Sequence, residues 1–192
     1  MYAKLVKEAL NISIPSLNEV PEDEMWDYFA KLVSLFPSTN KRLRARMISH
    51  VIFDAGTIKE DEVKIKTNYL RHKGEQLLQE HIIGKQKAGE IISKYVDKYG
   101  NIDANKLREL LHAFAGYIYI PKRDVNNVKI NDKLRPLQNQ SSIITYEEYI
   151  NKLKEFIVET SNGEQPLEII EGTDVLRKYI DNVHATIKKY KL

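Results

Sequence analysis

Four cations fall within six residues at Lys41, Arg42, Arg44 and Arg46, where the spacing of apolar residues predicts the start of a helix. Ser38 or Thr39 is a natural N-cap, and the position three residues on, which a capping box fills with Glu or Gln, holds Lys41 or Arg42. Cations there oppose the helix macrodipole at roughly 0.3–1 kcal/mol each when exposed. Free N–H groups beside guanidinium forks suit phosphate, so the chemistry the pattern offers is anion contact, with nucleic acid foremost. At about 100° per residue, Arg42, Arg46 and His50 lie opposite the apolar stripe Leu43, Met47, Ile48, Val51 and Ile52. Arg44 intrudes on that stripe, where it serves packing or an internal carboxylate. Lys64, Lys66, Arg71, His72 and Lys73 continue the positive bias, followed by Lys122, Arg123, Lys129, Lys133 and Arg135 and a lysine-rich C-terminus. The predicted nucleic-acid-binding set is therefore Lys41, Arg42, Arg44, Arg46, Lys64, Lys66, Arg71 and Lys73, with Arg42 and Arg46 foremost. Binding through phosphates would be salt-sensitive and tolerant of sequence. The competing readings of the cluster are a solvated helix face and a dock for acidic protein.

Other chemistries lack their residues. The chain has no cysteine, which removes disulfides, thiol nucleophiles and zinc–thiolate sites. The five histidines show no HxxxH or HExxH spacing. The carboxylate pairs Asp61-Glu62 and Glu147-Glu148 sit in expected first helical turns, where they complement the dipole. No GxSxG, P-loop or GxGxxG element occurs. Gly56-Thr57-Ile58 and Gly100-Asn101-Ile102 faintly resemble EF-hand loops but lack the alternating carboxylates and the final bidentate Glu. Each glycine reads instead as a left-handed C-cap, with the following isoleucine plugging the core. No metal, no cofactor and no catalysis are expected.

Net charge is only +3 over 192 residues, so an anion site must be local. Residues 1–37 carry net −3, residues 38–98 net +5 and residues 99–192 net +1. No apolar run approaches the roughly 20 residues of a membrane span, and the N-terminus shows no signal-peptide core, so a cytoplasmic or virion location is expected.

The elements that must position these residues show almost entirely helical spacing. Residues 1–23 read as an N-terminal arm and 24–192 as one helical domain. A first helix follows Glu22-Asp23-Glu24 and buries Met25, Trp26, Phe29, Leu32, Val33 and Phe36 before Pro37. The basic helix comes next. Lys59 to Lys98 reads as a long, kinked helical region, with Val63, Leu70, Leu77, Gly84 and Ile91 in one heptad seam and Thr67, Gly74, His81, Ala88 and Tyr95 in the other. Asp103 caps a helix that turns Leu107, Leu110, Leu111, Phe114 and Ile118 inward. Residues 121–144 form a long basic connection, and Thr145 with Glu148 makes a capping box for a helix burying Tyr149, Ile150, Leu153, Phe156 and Ile157. Leu167–Ile170 suggests a short strand, and a last helix carries Leu176, Tyr179, Ile180, Val183, Ile187 and Tyr190. The predicted class is all-α: about six helices in a kinked-helix bundle, with an extended N-terminal arm and one long basic connection.

In that general character over the whole chain, and through no diagnostic motif, the sequence resembles the helical coat proteins of filamentous archaeal viruses. The resemblance implies a non-enzymatic structural protein that wraps double-stranded DNA as repeated subunits, alone or with related chains. Lys41, Arg42, Arg44 and Arg46 would then meet phosphates, and the arm and residues 121–144 would clasp neighbours. Two alternatives remain open: a helix–turn–helix DNA-binding regulator built on segment 24–53, whose turn is Phe-Pro-Ser-Thr, and a helical protein-interaction adaptor.

Overall fold

Met25, Trp26, Phe29, Leu32 and Val33 recur at helical spacing, and in the computed structural model they form the buried face of α1 (Glu22–Leu35). The structure describes residues 22–35, 41–49 and 62–192. These residues fall into two compact units, one of 22–35, 41–49, 85–114 and 187–192, the other of 62–84 and 115–186.

The first unit is helical. α1 packs on α4 (Ala104–Phe114), and α2 (Lys41–Met47) packs on α3 (Lys85–Tyr99), which also touches α4. Ala88, Ile91, Ile92 and Val96 of α3 and Leu107, Leu110, Leu111 and Phe114 of α4 are buried. Each large side chain so buried stabilises the fold by roughly 1.5–3 kcal/mol. Gly100 ends α3 at φ +82°, and its N–H donates to the Val96 carbonyl at 2.8 Å. Ile102 then enters the core, and Asp103 Oδ1 accepts from the Lys106 N–H at 2.7 Å to cap α4.

The second unit mixes short antiparallel pairs with helices. β1 (Lys66–Thr67) pairs with β6 (Ile169–Glu171), β2 (Leu78–His81) with β3 (Tyr117–Ile120), and β4 (Ile157–Thr160) with β5 (Gly163–Pro166). α5 (Ile130–Gln138), α6 (Tyr146–Leu153) and α7 (Thr173–Tyr190) complete the element order, the end of α7 counting with the first unit. β3 buries Ile118 and Ile120 and turns Tyr117 and Tyr119 the other way, the period-two pattern of a strand. Across the ladder Glu80 stands opposite Ile118 and is drawn into the same buried face. The capping box of α6 forms as its sequence suggests. Glu148 N–H donates to Thr145 Oγ1 at 3.2 Å and Thr145 N–H to Glu148 Oε2 at 2.8 Å.

The all-α expectation is overturned: among the described residues there are six strands in three antiparallel pairs besides seven helices. The described part of 59–98 is not a kinked helix. Only Lys85–Tyr99 is helical, because Val63, Ile65, Thr67 and Tyr69 alternate with polar residues as a strand requires. The helix expected to reach Ile118 stops at Phe114, where Ala115-Gly116 gives way to the β-favouring run Tyr-Ile-Tyr-Ile. The 121–144 connection contains α5, which buries Ile130, Leu134 and Gln138 at four-residue spacing despite Pro136. Ile157 belongs to β4 rather than to the preceding helix, and Ser161-Asn162 forms the turn of the β4–β5 hairpin. The arm through residue 21, the Ser38 or Thr39 cap, Val51, Ile52 and the Gly56 loop lie outside the described residues.

Candidate nucleic-acid interface

Packing of α2 on α3 sorts the basic cluster. Gly89 permits the approach, since a Cβ there would meet the Ala45 carbonyl oxygen well inside contact distance. Ala45, Met47 and Ile48 are buried, and Arg44, on the same side of its helix, is 2% exposed. Arg44 Nη1 donates to Asp97 Oδ1 at 2.9 Å and to the Ser93 carbonyl at 3.0 Å. A charge taken out of water needs such a partner. Arg42 is exposed and Arg46 half-buried. The side chain of Lys41 lies outside the described residues.

Arg42 and Arg46 form one wall of a groove of about 320 Å³, with Ala45 between them. The other wall belongs to α3: Gln86, Glu90 and Lys94 follow at four-residue spacing, with Ser93 and Asp97 beside them. Gln86 Nε2 donates to Glu90 Oε1 at 3.1 Å. Asp97 is paired with Arg44, and Glu90 is the second carboxylate lining the groove. The balance of charge in the groove is positive. Two turns before Lys94, Lys87 is 5% exposed, and burial first, then the Lys94 charge, lowers its pKa from the usual 10.5.

Lys64, Lys66, Arg71 and Lys73 all belong to the second unit, so the eight predicted residues divide four and four between units. Lys66 pairs with Glu171 at 2.8 Å. Arg71 donates through Nε and Nη2 to the Glu75 carbonyl at 3.0 and 2.8 Å. His72 Nε2 lies 3.1 Å from Glu159 Oε2. Lys64 and Lys73 are exposed. Of these four, Lys66 is thus paired across to β6 and Arg71 is bonded within its own segment.

Sequence reasoning missed Gln86, Glu90, Ser93 and Lys94. Their polar spacing along one flank of α3 is visible in the sequence, but nothing there says that α2 faces it. Among the described residues, no group of three histidines and carboxylates is arranged to hold a metal ion, and no helix is long and apolar enough to cross a membrane. No protein family, no curated protein and no solved structure matches the chain.

Proposed function

We propose that this is a non-enzymatic protein that binds nucleic-acid backbone and assembles along it, as a coat or nucleoprotein filament does. The observation that carries the reading is that Arg42, Arg46 and Lys94 line one groove between two packed helices, with Arg44 beneath them paired to Asp97. Three cations on two packed helices present charge at fixed spacing, which suits a phosphate chain better than a lone flexible lysine does. Duplex DNA, with one charge per roughly 1.7 Å of axis, is the first ligand to test. Assembly has a separate support. All four residues of β5 are exposed, and among the described residues the strand pairs only with β4; Asn68 Nδ2 donates to the Pro166 carbonyl at 2.8 Å, which leaves the Gly163–Gln165 stretch of its outer edge for another chain.

The all-helical character behind the resemblance to filamentous viral coat proteins is absent, so the reading stands on the groove and the open edge. A helix–turn–helix regulator needs its two helices packed on each other; here α1 lies chiefly on α4 and α2 on α3. An adaptor for acidic protein would use the same cations, and salt dependence separates the two. Purification without nuclease, followed by the absorbance ratio and electron microscopy, is the direct experiment. Co-purifying nucleic acid or filaments support the reading. A chain that binds no DNA at low salt, or a double variant Arg42→Glu, Lys94→Glu that binds with unchanged affinity and salt slope, sinks it.

A further inference from the structure

We infer that the groove between α2 and α3 is a site for a single nucleotide with an unpaired base; the inference rests on the nucleic-acid reading above and names the ligand of the same site. At about 320 Å³ the groove lies at the lower end of small-molecule sites, about 300–1,000 Å³. A duplex, whose major groove alone is about 12 Å wide, cannot enter it and would stay on the rim. A single nucleotide fits.

Three features select that ligand over a bare phosphate. Ser93 lines the groove at 3% exposure, and among the described residues its buried Oγ has no hydrogen-bond partner, a standing penalty that a ligand hydroxyl or carbonyl relieves once the side chain turns toward the groove. Ala45 lines the groove together with Arg42 and Lys94, whose side chains carry apolar stems behind their charges, a lining that suits a base and sugar. Glu90 would repel a phosphate placed against it. A carboxylate is instead the group that accepts from an exocyclic amino group such as N4 of cytosine, and Glu90 keeps a second oxygen after Gln86 has taken Oε1. The phosphate then falls to Arg42 and Lys94 at the rim, and the base to Glu90 and Ser93. The nucleotide can be free or part of a single strand; the groove chemistry is the same.

The test titrates cytidine monophosphate, uridine monophosphate and inorganic phosphate into the full chain by calorimetry, and follows an oligodeoxycytidine strand and its matching duplex by fluorescence anisotropy. Cytidine monophosphate should bind more tightly than the other two. Lys94→Glu and Ser93→Ala should each weaken it by about five- to tenfold, and Ser93→Ala removes only an unpartnered buried hydroxyl, so the fold is kept. Glu90→Gln should erase the preference for cytidine over uridine. Displacement of the strand by cytidine monophosphate assigns the site to a strand, and binding without displacement assigns it to the free nucleotide; either supports the inference. It is overturned if inorganic phosphate binds as tightly as the nucleotide, or if the nucleotide binds but ignores both variants. If no nucleotide binds at millimolar concentration while strand or duplex binding persists and survives Ser93→Ala, the single-nucleotide site is wrong and the backbone reading stands. If nothing binds at low salt, both fall.

Discussion

Arg44 Nη1 lies 2.9 Å from Asp97 Oδ1, and the arginine side chain is 2% exposed. One member of the basic cluster is therefore a bolt between α2 and α3. Asp97→Ala leaves a buried guanidinium short of its carboxylate and should cost about 3–5 kcal/mol in urea unfolding. Arg44→Met should cost less, because Asp97 keeps some access to water, and the folded variant should retain its affinity for nucleic acid. If Arg44→Met lowers affinity as much as Arg42→Glu does, the division of roles is wrong.

Gly89 faces the Ala45 carbonyl across the same helix pair. Because the obstructing atom is backbone, α2 must move to admit a methyl group at 89. Gly89→Ala, which would favour an isolated helix by about 1 kcal/mol, should here destabilise by about 1–3 kcal/mol. Denaturation midpoints of the two proteins check the sign.

Glu80 is buried opposite Ile118, and burial raises its pKa above the usual 4.5, against the Gln138 Nε2 hydrogen bond at 2.6 Å. The folded state thus holds a proton that the unfolded chain releases near pH 4.5. Its contribution to stability is full below that pH and is lost as pH rises through the folded pKa. Glu80→Gln should therefore be more stable than the parent above the folded pKa and flatten the decline that sets in as pH rises past 4.5. A parent that gains stability over that rise in pH while the variant does not would refute this.

Tyr149 is fully buried in the second unit, and among the described residues its hydroxyl has no hydrogen-bond partner. Burial raises its pKa well above 10, so the group stays protonated. Tyr149→Phe keeps the ring and removes the stranded oxygen. It should leave stability unchanged or raise it by about 1 kcal/mol, where loss of a satisfied hydroxyl would lower it. Thermal unfolding distinguishes the cases.

Legibility in the sequence followed the range of the forces. The faces of α1 and α4, the Thr145–Glu148 capping box, the Gly100 stop and the apolar stripe of α7 were all readable, because each is fixed by neighbours within one or two turns. Arg44 was readable as an intruder on an apolar face, though its carboxylate, 53 residues away, was not. The reading failed between residues 62 and 84. Seven-residue recurrence of Val63, Leu70 and Leu77 suggested helix, whereas the two-residue alternation Val63, Ile65, Thr67, Tyr69 decided the structure. Both periods coexist in that segment, and β1 and β2 each take their backbone partners from far along the chain.

By itself, the sequence determined which residues carry charge at a helix start and which side of that helix each occupies, since helical geometry alone sets those angles. Tertiary structure decided the rest. Close approach at Gly89 brought α3 against α2, so that Asp97 removed Arg44 from the surface and Lys94, Glu90 and Ser93 joined Arg42 and Arg46 around one groove. Helix partners are chosen by long-range packing of side chains that carry no mark of their partner's identity, and strand partners by hydrogen bonds between backbones that every residue shares.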